Sequence, residues 1–567
     1  MTINATVTMR DQKTDELHET GFNFENADNK NILYVMFGSR TGNSESAANL
    51  AWEYSRFLGY EAHLLDTNTF EPKNLKYICN LLLAVSTHGE GDPPEVVENF
   101  YEALNSKQFD NLNQLNYSIL ALGDSTYQDF CKTGHDIDAQ FGALGAWLIS
   151  PLVECDIDYE ENAKIWVRNS VLAFSKLLEK KFVTQTKPFA FEINKPDSDW
   201  ADAYIAPVID KKMLTKKGSE RPTMLISLSL ENSGLHFQPG DSIGIYTTNA
   251  RLLVDKLLQT LRFDGTTSVE VNGKTKLLKD ALIHDFELTV LTPLVMRNYA
   301  KLCDQPTLSK MLANEQATEK YCEYSDILDM IQDFPCNLLP ETFITVLRKL
   351  NPRLYSIASS VKKQPDQLDI VAGLIRFTNN DRLHSGVCSS LISDRIEPGE
   401  NLPIYLEKNA RFRLPEETNT PLIMIGAGTG IAPYRAFLQE LSLRKTPNVA
   451  WLFFGEKSME NDFLFQEELE NYFMTGLLDK LNFAFSRDQD EKKYVQDEIL
   501  ANSKDVYSWI VHKKAIVYLC GNKWKMAKAV RKALVEVFIS EGQMTLEQAT
   551  ETLNQLKKDR RLQEDVY

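Results

Sequence analysis

The sequence predicts an α/β multidomain protein: two doubly wound, parallel-sheet regions flank an antiparallel β-barrel that carries an all-α insertion. Three observations lead there. The 567 residues are too many for one hydrophobic core, since domains usually run from about 100 to 200 residues. Short apolar runs alternate with amphipathic stretches near both ends of the chain, as a parallel sheet covered on both faces requires. Between them, β-branched alternation is punctuated by Pro-Gly turns at Pro239 and Pro398. With 43% apolar and 25% charged residues, the chain is composed like a packed globular protein.

In chain order, residues 1–30 have no hydrophobic period and read as a mobile N-terminal arm. The first α/β domain covers 31–182, with buried-strand runs ILYVMF at 32–37, LLLAVS at 81–86 and YSILAL at 117–122, and it closes on the helix-like IWVRNSVLAFSKLLEKK. Residues 183–203 read as a linker. The barrel covers 204–417, with a helix-rich insertion at about 250–350 (LLVDKLLQTL, YSDILDMIQDF, ETFITVLRKL), and the second α/β domain covers 418–567. The balance of 62 basic against 79 acidic residues, net −17, disfavours nucleic acid and anionic lipid and suits a partner with a basic face. The eight cysteines show no C-x-x-C and no metal-ligand spacing, so reduced thiols and no metal site are expected. No run approaches the roughly 20 apolar residues of a membrane span, and the polar start MTINATVTMRDQ has no signal-peptide core; a cytoplasmic protein without an anchor is the expectation.

The first chemical motif, FGSRTGNSES, joins a strand to a helix through Ser39, Arg40, Thr41, Gly42, Asn43 and Ser44. Free amides at a helix N-terminus favour an anion, and without Gly-Lys-Ser/Thr a nucleoside triphosphate is disfavoured. A plain capped turn is the alternative. Two further loops follow strands at the same sheet edge: Ser86, Thr87, His88 and Gly89 in STHGEGDPPE, then Leu122, Gly123, Asp124, Ser125, Thr126, Tyr127, Gln128, Asp129, Phe130 and Cys131 in LGDSTYQDFC. Three loops converging at a switch point suit one planar ligand. The combination resembles the flavodoxin family. That resemblance implies FMN, with its phosphate on the first loop, Tyr127 stacked on the ring, Gly89, Gly91 and Gly123 close to it, and His88 where relatives place an aromatic or Gln.

A second cluster pairs NPRLYSIASS at 351–360 with HSGVCSSLISDRI at 384–396. Arg353 offers charge to a pyrophosphate, Tyr355 a ring and Ser356 a hydroxyl, while Gly386, Val387, Cys388 and Ser389 open a helix with bare amides. These motifs resemble the FAD site of the ferredoxin–NADP reductase family, which extends the implied set to Leu354, Thr289, Val371, Ala372 and Gly373. The third cluster, PLIMIGAGTGIAPYRAFLQE, runs from a buried strand through Gly428, Thr429 and Gly430 into a helix, as a dinucleotide pyrophosphate requires. It is similar to the G-x-G-T-G-I-A-P turn of the same family, with Ala427 where proline is common. Downstream, Ser486, Arg487, Lys492, Lys493, Tyr494, Val495 and Gln496 form a donor-rich stretch suited to a ribose 2′-phosphate, which favours NADPH over NADH. The resemblance further implies a hydride path lined by Ser356, Cys520 and Asp565, with the final Tyr567 covering the FAD ring.

FMN, FAD and NADPH sites in one chain resemble the diflavin reductase family, which implies electron flow from NADPH through FAD and FMN to a separate acceptor. STHGEGDPPE, SGLHFQPGDSIGIY, PRLYSIASS, SRDQDEKKYVQD and RRLQEDVY are most similar to the flavoprotein (alpha) subunits of assimilatory NADPH-dependent sulfite reductases. That similarity implies a sirohaem/iron–sulfur hemoprotein partner reducing sulfite to sulfide, and it leaves a homo-oligomer through the N-terminal arm open. Alternatives are a reductase for a haem monooxygenase or other metalloprotein, and a non-catalytic flavodoxin-like carrier or scaffold.

Overall fold

The computed structural model describes residues 24, 29–39, 42–87, 93–106, 109–126, 129–177, 189, 191 and 203–567. The chain divides into two compact units. One comprises Met1–Asp197 with Thr292–Arg297 and Glu315–Glu319, and the other Ser198–Leu291, Asn298–Asn314 and Lys320–Tyr567.

The first unit contains β1 (Ile32–Gly38), β2 (Glu61–Asp66), β3 (Asn80–Ser86), β4 (Asn116–Leu122), β5 (Trp147–Leu148) and β6 (Val153–Cys155). Their order is β2-β1-β3-β4-β5, with β6 also on β4 and every pair parallel. The predicted apolar runs are the three inner strands, buried along almost their whole length because helices cover both faces. Ala47 and Leu50 of helix Asn43–Phe57 join Trp166 and Phe174 of helix Glu160–Leu177 over one face, while Val97, Phe100, Ile137 and Phe141 fill the other. The strand order reverses between β1 and β3, which opens a crevice at the C-terminal edge. Two boundaries move. Phe24 is buried against Tyr34 and Phe70, so folded structure starts before Asn31. Phe189 and Phe191, expected in the linker, pack on Tyr54, because aromatic side chains gain more by covering that helix than by solvation. Nearly all the rest of 183–203, and most of residues 1–30, lie outside the described residues.

The second unit holds the barrel strands β7 (Tyr204–Met213), β8 (Thr223–Ser229) and β9 (Ser242–Ile245). The insertion adds the hairpin β10 (Ser268–Val271) and β11 (Lys274–Leu277). Then come β12 (Arg353–Ser356), β13 (Gln367–Gly373), the hairpin β14 (Arg376–Asn379) and β15 (Arg382–Ser385), and β16 (Asn401–Glu407). The antiparallel order is β12-β9-β16-β7-β8-β13. A bridge from Ile357 to Ile370 joins the two ends and closes the barrel. Gly240, at φ 99°, is required at its turn, since a Cβ there would lie 1.9 Å from the Phe412 carbonyl oxygen. The insertion is not all-α. Asn272 and Gly273 both take positive φ, 51° and 71°, the Asn-Gly turn that seeds a tight hairpin, and β10 pairs antiparallel with β11 there. The expectation of reduced thiols also fails at one pair. Cys303 and Cys336 are disulfide-bonded, with Cα atoms 5.8 Å apart, brought together by the helices between them rather than by any sequence spacing.

The last sheet holds β17 (Leu422–Ala427), β18 (Ala450–Glu456), β19 (Leu478–Phe485), β20 (Ile516–Gly521) and β21 (Leu562–Val566). All pair in parallel in the order β19-β18-β17-β20-β21. Ile423, Ile425, Trp451 and Phe453 face one helical layer, and Leu422, Met424, Leu452 and Phe454 the other, so alternate residues of each strand feed two cores. Among the described residues no helix is long and apolar enough to cross a membrane.

Candidate functional site

In the first unit the parallel neighbours β1, β3 and β4 all end at the C-terminal sheet edge. The turn after β1 passes through Gly42 at φ 86° into helix Asn43–Phe57. Ser39 Oγ accepts hydrogen bonds from the amides of Gly42 (2.9 Å) and Ser44 (3.3 Å). Among the described residues, the buried Ser44 hydroxyl has no hydrogen-bond partner. An orphaned donor at the positive end of a helix fits a phosphate group, which would satisfy it. Ser86 Oγ donates to the Gly38 carbonyl (3.2 Å), and Thr87 Oγ1 accepts from the Thr133 amide (3.1 Å). After Leu122, Gly123 lies so near the next turn that a Cβ would come 2.8 Å from the Cys131 amide nitrogen. Asp124 accepts from the amide and hydroxyl of Thr126, and Ser125 binds Asp156 through both amide (3.0 Å) and hydroxyl (2.5 Å). Phe130 leans on the core, and the Asp129 carbonyl accepts from the Lys132 amide (3.2 Å). Arg40, Thr41, His88, Gly89, Gly91, Tyr127 and Gln128 lie outside the described residues.

In the second unit β12 carries Arg353, Leu354, Tyr355 and Ser356 in antiparallel register with β9. Arg353 does not carry an unpaired charge: its Nη2 pairs with Glu287, and Nη1 donates to the Asn351 carbonyl (2.7 Å). Glu287 is buried, and its Oε1 also accepts from the Thr289 amide and hydroxyl, both at 2.8 Å. One acid thus ties together two residues that the sequence places at the flavin. Leu354 points out, Tyr355 lies beside Cys388, and burial pushes both the Tyr355 phenol and the Cys388 thiol up. A Cβ on Gly386 would meet Ser389 Oγ at 2.8 Å, and one on Gly373, next to buried Val371 and Ala372, would meet Arg221 Nε at 3.1 Å. Bare glycine backbone beside a half-buried, aromatic-bearing strand is a cradle that a flavin nucleotide fits.

The three proposed hydride-path residues come together from distant parts of the chain. Asp565 on β21 is in register with Cys520 on β20. Its Oδ2 accepts from the Ser356 hydroxyl at 2.7 Å and from the Cys520 thiol at 3.9 Å. Burial, with Asp565 adding its negative charge, pushes the Cys520 thiol well above its ordinary value; it stays a neutral thiol.

Beside it, β17 ends in the turn Gly428–Ile431, which leads into helix Ala432–Leu441. Gly428 has φ 57°, and a Cβ on Gly430 would lie 2.2 Å from the Cys520 carbonyl oxygen. The Gly428–Ile431 turn is therefore packed directly on the strand that carries Cys520. Thr429 Oγ1 and the Tyr567 hydroxyl are 2.6 Å apart, and the Tyr567 amide donates to Gly521 (3.1 Å). On the other side, the Ser486 and Arg487 amides donate to the carbonyls of Glu456 (2.9 Å) and Lys457 (2.8 Å). The Arg487 and Lys492 side chains are exposed, Lys493 pairs with Glu498, and Tyr494 is 45% exposed. Val495 is a core residue at the start of helix Val495–Ala501, followed by half-buried Gln496. A glycine turn at a helix N-terminus, with the exposed cations Arg487 and Lys492 after the next but one strand of the same sheet, fits a phosphorylated dinucleotide.

Comparison with known proteins agrees domain by domain. Family models match a flavodoxin at residues 35–166, an FAD binding domain at 196–391 and an oxidoreductase NAD-binding domain at 424–532. The sulfite reductase [NADPH] flavoprotein alpha-component of Bacillus subtilis (strain 168) is 38% identical over 544 residues, 94% of this chain and 89% of that protein. Its counterpart in Neisseria meningitidis serogroup A is 36% identical over 538 residues, with 94% and 89% covered. The chain belongs to the sulfite reductase [NADPH] flavoprotein alpha-component family. Like that family it is an NADPH-dependent diflavin oxidoreductase with FMN, FAD and NADPH as its cofactors.

Within this flavoprotein, sequence reasoning missed Glu287, Glu456 and Lys457. Glu456 lies against the Gly428 turn, and Lys457 pairs with Glu220 at 2.9 Å, where Arg487 adds to the positive field. The sequence held one usable signal, the position of Glu456 and Lys457 at the end of a strand of the parallel sheet. Asp326, Asp329 and His384 also cluster within 4.8 Å. Arg382 Nη2 bonds both carboxylates there, at 2.5 and 2.7 Å, so the protein supplies its own cation.

Proposed function

We propose that this chain passes electrons from NADPH through FAD and then FMN to a separate sirohaem and iron–sulfur hemoprotein in the cytoplasm, which reduces sulfite to sulfide with six electrons from three NADPH. The observation that carries the reading is the Ser356–Asp565–Cys520 contact beside the Gly428–Ile431 turn. When bound, FAD accepts a hydride and FMN releases electrons singly. The chain's own residues do the rest. The Asp565 carboxylate, oriented by the Ser356 hydroxyl, would favour the positive charge of an oxidised nicotinamide ring. The neutral Cys520 thiol adds bulk without opposing it. Tyr567, held at Thr429, would cover a flavin bound there and exclude water from it.

The work divides among an FMN domain at 31–182, an FAD barrel at 204–417 and an NADPH domain at 418–567. Glu98, Asp124 and Asp129 near the FMN edge, in a chain of net charge −17, support docking on a basic face of the hemoprotein. Mixing the flavin-loaded chain with a purified sirohaem hemoprotein should give NADPH oxidation that depends on sulfite. Oxidation that is independent of sulfite, together with fast reduction of a haem monooxygenase, would transfer the chain to another acceptor.

A further inference from the structure

The dinucleotide turn has a titratable carboxyl against it that neither the hydride path nor the phosphate donors use. Glu456 ends β18, one residue past the Gly455–Ala427 pairing. Its Oε1 lies 3.4 Å from where a Cβ on Gly428 would sit, and its main-chain oxygen accepts from the Ser486 amide at 2.9 Å. The same residue therefore touches the pyrophosphate turn with its side chain and holds the expected 2′-phosphate segment with its backbone. Oε2 accepts from the Lys457 amide at 2.9 Å.

Charged groups face it from three sides. Asp462, buried at the end of helix Met459–Asp462, repels an ionised carboxyl, while Arg221, from the β7–β8 connection, and Lys457, already paired with Glu220, attract it. Burial prevails and pushes the carboxyl up to about 7. The Cys520 thiol and the Tyr567 phenol, the latter bonded to Thr429 of the turn, are both displaced upward by burial and stay neutral across this range.

We propose that Glu456 makes dinucleotide binding proton-linked: the phosphate-bearing ligand binds the form in which this carboxyl is neutral, and a solvent proton enters it on binding wherever it starts ionised. The inference rests on the dinucleotide occupying the Gly428–Ile431 turn, where its phosphates would meet a carboxylate of like charge. The sign follows. Below about pH 6 the carboxyl is already neutral and binding takes up no proton there. Above about pH 7.5 each pH unit should weaken binding by up to roughly tenfold, one proton being taken up. The ligand's own 2′-phosphate, with a second pKa near 6, acts in the opposite direction and at lower pH.

The test is calorimetric titration of the flavin-loaded full chain with NADP+ at about pH 6.5 and 8.5, each in buffers of low and high ionisation heat. The expected result is nearly one proton taken up at the higher pH and roughly 25-fold weaker binding there than at the lower pH. In Glu456→Gln the uptake and the alkaline loss should both vanish, while Glu456→Asp should keep them. Absence of proton uptake by the unmodified chain at the higher pH, or equal uptake by Glu456→Gln, overturns the proposal. If Glu456→Gln fails to hold its flavins, the proton count of the unmodified chain decides alone. Binding without pH dependence sinks only the linkage; no NADP+ binding at any pH would sink the placement of the dinucleotide as well.

Discussion

The turn after β1 bends through Gly42 at φ 86° with nothing among the described residues within 4 Å of a would-be Cβ, and Ser39 gathers its amides. The turn after β17 bends through Gly428 at φ 57° and presses Gly430 onto the Cys520 carbonyl. Both stand at a sheet edge where we place a phosphate, yet the first uses glycine for backbone conformation and the second for close approach. The difference follows from what each turn serves. A resident flavin needs an anchor. A dinucleotide that arrives and leaves must be set against the residues that act on it, which the packing of the second turn on the Cys520 strand would do.

That contrast can be broken at several points, the largest effect first. Asp565→Ala removes the one carboxylate bonded by Ser356 and Cys520. FAD reduction by NADPH in anaerobic rapid mixing should slow about 10²–10³-fold, the scale for losing one preorganised electrostatic group, with the flavin content unchanged. Gly430→Ala should come next, since its Cβ would stand 2.2 Å from rigid backbone; NADPH affinity and hydride transfer should fall together. Gly42→Ala meets only the left-handed backbone, which costs about 1–2 kcal/mol, and should weaken FMN retention while sparing FAD reduction. Equal damage from the two glycine changes would erase the distinction between the turns.

Smaller effects sharpen it. Arg487→Ala should weaken NADPH by about 1.5–3 kcal/mol, the range for hydrogen bonds to charged groups, and leave NADH almost unchanged in steady-state kinetics. The raised Glu456 carboxyl gives a pH signature in thermal melts. Its ordinary value is 4.5 and its folded value about 7, so as pH rises between them ionisation progressively favours the unfolded chain. Glu456→Gln should therefore gain stability over the unmodified chain through that window and hold the gain above it. Tyr567→Phe loses only the Thr429 hydrogen bond; a change of about 0.5–1.5 kcal/mol should appear as slightly tighter NADP+ binding.

Much of the fold could be read directly. The strands β1, β3, β4 and β17 are apolar runs because parallel sheets bury both faces. The hairpin at Asn272-Gly273 is masked in the sequence by the helical periodicity on either side of it, although its turn dipeptide is a hairpin signal. The site was less accessible. Ser356 and Asp565 stand 209 residues apart, and no local pattern joins them; only family resemblance did. Glu287 and Glu456 look like ordinary surface acids until topology buries one beneath Arg353 and sets the other at the Gly428 turn. Cys303 and Cys336 pair through helix packing that spacing cannot encode.

The central claim is that the hydride path is complete within the second unit and that the FMN domain acts only downstream. Stripping FMN from the full chain while retaining FAD, then mixing anaerobically with NADPH, tests this most directly. The account predicts FAD bleaching at the rate of the fully loaded chain, with hemoprotein reduction abolished and restored on adding FMN back. Loss of FAD reduction on removing FMN, with FAD content intact, would contradict it.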